Sequence, residues 1–247
     1  MLVKYQLSIN TEQFKIMKNA FSYFLIFLLP FVAFAQTVKN TGSMTDMGKE
    51  NFAPHIRLDT ITNKRHLFGM GPYGRMQGEI SVWDGVPYFS EVNADGIGVV
   101  SKNWSIEAPF FVYANVSKWK KYKVNLNCQN LNDLQKAIEN IAKIKAYKSD
   151  GPLVIKIKGK FDQLTTHIVM PRSMDIPGYQ ANKKQADYDF EQIEGEILVF
   201  YSKKHQGIYT HKDSFIHAHF LSEDKNTMGH IDKIKSNGKV ELSFSIE

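Results

Sequence analysis

The chain has 247 residues, of which 43% are apolar and 23% are charged, and this composition excludes an intrinsically disordered protein. The formal net charge of +6 comes from scattered lysines rather than from a basic stripe, so we expect a solvated basic surface and no nucleic-acid partner. The single cysteine, Cys128, cannot form an internal disulfide, and a chain of this length buries enough surface to fold without one.

Residues 1–35 are predicted to be an export signal. A lysine precedes an apolar run from 21 to 35, and the run ends in Ala33-Phe34-Ala35, a small-residue pattern typical of signal cleavage. The run is shorter than the roughly 20 residues that a membrane-spanning helix needs. We therefore predict cleavage before Gln36, an exported (periplasmic or secreted) protein and no membrane partner after cleavage, with an uncleaved anchor as the alternative. Residues 1–16 precede this signal and suggest an overlong gene start.

Strands are predicted from residue 55 onwards. The mostly polar residues 36–54 before them are predicted to be a flexible lead-in. Gly78–Trp83 alternates along the chain, and Asp84-Gly85 predicts a hairpin turn into a strand at 86–89. Two further strands are predicted at 97–100 and 110–113.

A helix is predicted over 131–148, because apolar residues recur there at intervals of three and four. Asn130 or Asn132 can cap its start, and Asp150-Gly151-Pro152 can end it. We place a boundary between two halves, about 55–150 and 151–247, at that glycine–proline pair. A polar connection is predicted over 171–189, and the remaining strands are predicted at 153–158, 195–201, 215–221, 230–234 and 240–246.

The two predicted halves share one short similarity. The segment Gly78–Trp83 resembles 195–200, since each opens with glycine, glutamate and an apolar residue. A similarity over six residues is consistent either with two related halves or with a chance likeness between two strands.

Three histidines form a pattern typical of a metal site. Residues two apart on a strand share a face, so His217 and His219 can direct two imidazoles to one point. A hairpin centred near Lys225 would place His230 opposite Phe220, one pair away from His219. Three imidazoles with an open fourth position are typical of catalytic zinc. The alternative is that these histidines are ordinary surface or core residues without a ligand. The other histidines with no spacing pattern are predicted to be structural or surface residues: His55, His66, His205 and His211.

The segment 216–224, followed by Met228-Gly229-His230, resembles the metal-binding hairpin of alpha-acetolactate decarboxylases. A second segment far upstream, with Phe68-Gly69-Met70-Gly71, Gly78-Glu79-Ile80, Asp84-Gly85 and Tyr88, is similar to another motif of that family. The two motifs occur in the family's order, and the resemblance covers roughly residues 60–245.

The resemblance implies an α+β fold with two related halves of mixed β-sheet, a flanking helix and a metal site on a β-hairpin of the C-terminal half. It implies removal of carbon dioxide from 2-acetolactate to leave acetoin. It also implies Zn²⁺ held by His217, His219 and His230, which would chelate two substrate oxygens and act as a Lewis acid. Glu79 matches the family's active-site glutamate and is expected to hold or deliver the proton.

The sequence departs from the family pattern at two positions. Where the family has an arginine on the strand after Phe161, this chain has His167, which cannot offer the guanidinium's two-pronged contact to a carboxylate. The family also has a glutamate beyond the last strand, whereas Glu247 is the final residue here. His167 is therefore a candidate catalytic residue beside Glu79.

Three functional hypotheses follow. The first is a zinc decarboxylase of 2-acetolactate or a similar 2-hydroxy-3-keto acid. The second is another zinc-dependent enzyme, such as a small-ester hydrolase, because the same three histidines can activate water. The third is a non-catalytic metal- or ligand-binding relative. The partners expected are a small molecule and, in a homodimer, a second copy of the chain.

Overall fold

The computed structural model describes residues 37–147 and 152–246, which belong to one compact unit. The predicted export signal, the predicted helix end at 150–151 and Glu247 lie outside the described residues. Within the described ranges the protein is mostly β-sheet with few helices. No helix in these two ranges is long and apolar enough to cross a membrane.

Thirteen strands and two α-helices make up the described fold. In chain order they are β1 (Lys39–Thr41), α1 (Met44–Gly48), β2 (Ile56–Arg57), β3 (Leu67–Tyr73), β4 (Gly78–Trp83), β5 (Val86–Val92), β6 (Gly98–Lys102), β7 (Glu107–Ala108), β8 (Phe111–Asn115), β9 (Trp119–Cys128), α2 (Leu131–Ile144), β10 (Leu153–Val169), β11 (Gln185–Tyr201), β12 (Ile216–Ser222) and β13 (Met228–Ser245).

The first sheet has six strands in the order β1-β8-β3-β4-β5-β6. The predicted turn between β4 and β5 is confirmed, since Asp84 and Gly85 both adopt positive φ angles, of 48° and 80°. This left-handed conformation at both central residues matches the twist of the flanking strands in a two-residue hairpin. Strands β2 and β7 form a separate, two-stranded antiparallel sheet.

The second sheet has five strands in the order β10-β11-β12-β13-β9, and β10 also pairs with β13. Every ladder between named strands of the described residues is antiparallel. The predicted mixed sheet is therefore wrong. Parallel neighbours need a long crossover, whereas β4–β5 and β12–β13 are joined by tight turns.

The chain passes from the first sheet to the second before the predicted boundary at 150–152. Strand β9 pairs along its whole length with β13, so the chain passes from the first sheet to the second between Asn115 and Trp119. Leu126 of β9 is buried in one cluster with Leu134 and Ile138 of α2. Strand β9 and helix α2 thus pack on the second sheet before the predicted boundary is reached.

Helix α2 confirms the predicted amphipathic segment. The Asn130 side chain accepts a hydrogen bond from the Asp133 N–H at 2.9 Å and so caps the start of the helix. The helix ends at Ile144, earlier than predicted, and Ala146 then adopts a left-handed φ of 59°. It buries its apolar face against the second sheet, on the side away from the first sheet.

The predicted flexible lead-in is part of the described fold from Thr37 onwards. Strand β1 pairs with β8, and the Thr45 N–H of α1 donates to the Gly207 carbonyl at 2.8 Å. The second sheet also has longer strands than predicted. Strand β10 extends to Val169, β11 begins inside the predicted connection, and β13 is one continuous strand where two were predicted.

Strand β12 separates two cores by simple alternation. Ile216, Ala218 and Phe220 pack in the cluster that contains α2. Leu221 belongs instead to the cluster that contains Phe68 of the first sheet. Since side chains two apart on a strand share a face, His217 and His219 face the first sheet together with Leu221.

We expect Gly195→Ala to destabilise the fold. A Cβ atom at Gly195 would lie 2.5 Å from the Leu221 carbonyl oxygen and 2.6 Å from the Phe220 ring. Such overpacking costs about 1–3 kcal/mol of unfolding free energy, measurable by urea denaturation. Gly238→Ala is the matched control, because a Cβ there has nothing within 4 Å. Equal stability of the two variants would contradict this packing.

Candidate metal and active site

His217, His219 and His230 lie together between the two sheets. The centroids of their rings are 5.0 Å apart for His217–His219, 5.2 Å for His217–His230 and 5.5 Å for His219–His230. The side chain of His219 is fully buried, and that of His230 is 12% exposed. The structure thus brings together the three histidines that the sequence pattern selected.

The register of the hairpin differs by one residue from the prediction. His230 pairs with His219, and Phe220 pairs with Gly229. The turn is tight because the Ser222 N–H donates to the Thr227 carbonyl at 2.9 Å and Lys225 takes a left-handed φ of 64°. The corrected register places the third imidazole directly across from the second.

Several nitrogens of these rings have no hydrogen-bond partner among the described residues. They are His219 Nε2 and both Nδ1 and Nε2 of His230, all buried. Buried polar atoms in proteins are nearly always paired, so unpaired imidazole nitrogens that lie close together indicate a ligand. Neutral imidazole nitrogen is a common zinc ligand, so the chemistry of these donors suits such an ion.

Contacts to Nδ1 orient two of the rings. His217 Nδ1 lies 3.2 Å from the Tyr209 carbonyl oxygen. Since a carbonyl oxygen only accepts, Nδ1 carries the proton and Nε2 of His217 keeps its lone pair. His219 Nδ1 lies 2.9 Å from Ser81 Oγ, a contact between β12 and β4.

The pKa values of the three histidines are all lowered. Burial, followed by the charges of the neighbouring imidazoles, holds the pKa of His217 and of His219 well below the ordinary value. Burial lowers the pKa of His230 to about 4, although its contact with Asp232 acts in the opposite direction. All three rings are therefore neutral at pH 7, which is the form that binds metal.

Glu79 lies on β4 beside this cluster and is 3% exposed. Its Oε2 lies 3.7 Å from His219 Nε2, and its Oε1 lies 3.7 Å from His167 Nε2. The Val169 N–H donates to Oε1 at 3.4 Å. Burial raises the pKa of Glu79 to about 8, against a smaller opposite effect of His167. Glu79 is thus a buried carboxyl at the site and not an exposed strand residue.

His167 on β10 also lies at the site. Its ring centroid is 4.6 Å from that of His230, and its Nδ1 is 2.8 Å from Asp232 Oδ2. Burial alone would lower the pKa of His167, but the hydrogen bond to Asp232 and the charge of Glu79 outweigh burial and raise it. His167 therefore stands between two carboxyl groups.

Sequence reasoning missed Asp232 and His211. Asp232 lies two residues after His230 on β13, and the alternation of a strand could have placed both on one face. Ligand atoms of His167, His230 and Asp232 all lie within 4.8 Å of one another, and among the described residues this is the set that lies close enough together to hold a metal ion as it stands. The exposed His211 lies with its ring centroid 5.5 Å from that of His230. It precedes β12 in a loop, where no periodic signal exists.

A family model described as "Alpha-acetolactate decarboxylase" matches residues 41–246. Curated relatives that carry that name include proteins from Brevibacillus brevis and Bacillus subtilis. The protein from Brevibacillus brevis is 24% identical over 178 residues, which are 71% of this chain and 59% of the relative. The protein from Bacillus subtilis (strain 168) is 25% identical over 166 residues, which are 66% and 61% of the two chains. This chain thus spans about three fifths of the length of these relatives.

Solved structures share the fold. The alpha-acetolactate decarboxylase of Bacillus subtilis strain 168 superposes with a TM-score of 0.67 at 21% identity, over 85% of each chain. A protein of unknown function from Staphylococcus aureus, described as similar to alpha-acetolactate decarboxylase, has a TM-score of 0.65 at 15% identity. It covers 85% of this chain and 86% of its own. At these identities the likeness is one of fold.

We expect Asp232→Asn to lower the pKa of His167. The amide keeps the shape of the carboxylate but removes the charge that stabilises the protonated ring. An NMR titration of the His167 ring in metal-free protein measures the change. Asp189→Asn is the matched control, because the Asp189 carboxylate on β11 accepts from Thr165 instead, at 2.6 Å. A His167 pKa that is the same in wild type and Asp232→Asn would refute the pairing.

Proposed function

This chain belongs to the alpha-acetolactate decarboxylase family, and we propose that it converts 2-acetolactate to acetoin and carbon dioxide between its two sheets. The observation that carries the proposal is the buried carboxyl of Glu79, within 3.7 Å of the nearest nitrogens of His219 and His167, beside unpaired imidazole nitrogens. A family match over residues 41–246 supports the reaction, and the residues between the sheets supply its acid and its ligands.

Zinc is the metal that we propose for this site, held by His217, His219 and His230. Three neutral imidazoles with no cysteine among them suit a metal that keeps an open position for substrate. When bound, zinc supplies a Lewis acid that polarises the substrate's oxygens. His230 belongs both to this set and to the set with His167 and Asp232, so substitution of the other members tells the two sets apart.

Glu79 is the proton donor in the proposed reaction. Loss of carbon dioxide breaks the bond between the carboxylate carbon and C2, and the electron pair left behind must be taken up by a proton at C2 to give acetoin. The carboxyl of Glu79 is buried, and the Val169 N–H holds its Oε1. A carboxyl kept protonated by burial can deliver a proton at neutral pH.

His167 supports Glu79 from the other side. Asp232 holds its Nδ1 at 2.8 Å, so that Nε2 faces the Glu79 carboxyl at 3.7 Å. An imidazole offers one N–H toward a substrate carboxylate where a guanidinium would offer two. We therefore propose that this chain binds the substrate carboxylate with fewer hydrogen bonds than an arginine would make, which raises KM more than it lowers kcat.

We expect purified protein to contain about one zinc per chain and His219→Ala to lose most of it. His219 belongs to the proposed ligand set and not to the set of His167, His230 and Asp232, so its loss distinguishes them. Elemental analysis after dialysis measures the metal. His66→Ala is the matched control, because His66 pairs with Asp84 at 2.8 Å on the surface. Full zinc content in the variant lacking His217, His219 and His230 would exclude the proposed ligands.

We expect Glu79→Gln to keep its zinc and to lower acetoin formation by about 10²-fold, the usual effect of a positioned acid. Turnover of 2-acetolactate, with and without a chelator, gives the rates. Glu196→Gln is the matched control, because Glu196 occupies the corresponding position in the similar segment of β11 but is only half-buried. If zinc-loaded wild type forms no acetoin, decarboxylation is excluded. Ester hydrolysis and non-catalytic ligand binding then remain, and an assay with a small ester substrate distinguishes between them.

A further inference from the structure

Ser81 lies on β4, two residues after Glu79, and its side chain is fully buried. Its hydroxyl oxygen is 2.9 Å from His219 Nδ1 on β12. The two residues are 138 positions apart in sequence, so the contact depends on the packing of one sheet against the other. Because residues two apart share a face of a strand, β4 presents Glu79 and Ser81 to the same site.

The neighbours of Ser81 explain why this hydrogen bond forms. Ser81 pairs across the sheet with Met70 on one side and Tyr88 on the other, and both are buried. A hydroxyl among such side chains costs free energy unless it is hydrogen-bonded. The contact with His219 Nδ1 satisfies it.

We propose that Ser81 is a positioning residue for the metal, because its hydroxyl accepts the Nδ1–H of His219 and so keeps Nε2 free to bind. The inference rests on the proposed function, in which His219 is a ligand. Its geometry is specific: Nε2 is the buried nitrogen of this ring without a partner, and it faces Glu79 Oε2 at 3.7 Å. Groups that fix the second nitrogen of a ligand histidine set its tautomer and its orientation.

The nearest polar neighbours of the three rings come from three different elements. His217 is held by the Tyr209 carbonyl, from the loop before β12. His230 faces Asp232 on its own strand, with Nδ1 and Oδ1 3.6 Å apart. Ser81 alone among these three partners belongs to the first sheet. The position of the His219 ring therefore depends on contact with β4 of the first sheet, and not only on the hairpin that carries the histidines.

The expected effect of Ser81→Ala is a zinc dissociation constant raised by about 10-fold. Removal of a hydrogen-bond partner of a ligand histidine generally lowers metal affinity by roughly 10–100-fold. We expect the lower end of that range because the backbone of Ile80 also hydrogen-bonds the His219 ring. Competition with a chromophoric chelator measures the constant. Ser81→Thr keeps the hydroxyl and should bind zinc within about threefold of wild type, a small part of that effect.

Ser236→Ala is the matched control. Ser236 is 1% exposed on β13, and its hydroxyl has no hydrogen-bond partner among the described residues, so its loss should leave zinc affinity unchanged. Thermal unfolding of each variant shows whether it is folded. Unchanged zinc affinity in folded Ser81→Ala would overturn the inference.

A second measurement separates this inference from the proposed function. In metal-free wild type, ¹⁵N NMR of the ring should show His219 protonated at Nδ1, and Ser81→Ala should shift the Nδ1 resonance. A ring protonated at Nε2 would overturn the role of Ser81, even if Ser81→Ala failed to fold. If wild type binds no zinc but His219 is protonated at Nδ1, the proposed metal ligands are wrong, whereas the hydrogen bond from His219 to Ser81 is supported.

Discussion

The burial of three imidazoles and a carboxyl between two antiparallel sheets is the constraint on which the site depends. Water cannot solvate these groups there, so each must be neutral, paired or bound to something else. Burial accounts for the lowered pKa values of His217 and His219 and for the pKa of about 8 at Glu79. The imidazole nitrogens that remain unpaired among the described residues are available to a ligand.

The topology of the second sheet explains how these side chains come together in the interior. Strand β13, which carries His230, pairs with both β10, which carries His167, and β12, which carries His219. His167 and His230 are cross-strand partners, as are His219 and His230. Alternation along β12 then gives one face to the packing of α2 and the other to the histidines. The backbone hydrogen bonds of these ladders fix the spacing of the strands that carry the rings.

The chain shares its family and its fold with known proteins, whereas one side chain at the candidate site departs from the family resemblance. The fold is shared with solved structures at 15–21% identity, a level at which side chains diverge more readily than strand order. In this chain His167 and Asp232 form a partly buried pair beside Glu79, and His167 occupies the strand position where the resemblance leads one to expect an arginine. A histidine held by a carboxylate on the next strand offers one N–H at this position in place of a guanidinium's planar fork.

The sequence alone determined the strands around Gly78–Trp83, the turn at Asp84-Gly85, the capped helix and the three histidines, because each depends on a local period or a local turn conformation. Only the tertiary structure decided the antiparallel ladders throughout, the place where the chain passes between sheets and the pairing of His230 with His219. It also brought Glu79, Ser81, His167 and Asp232 to the histidines. These residues come from β4, β10 and β13, and the hydrogen bond between Ser81 and His219 joins residues 138 apart. Local periodicity shows which face of a strand a side chain takes, whereas the packing of one sheet on another decides what that face meets.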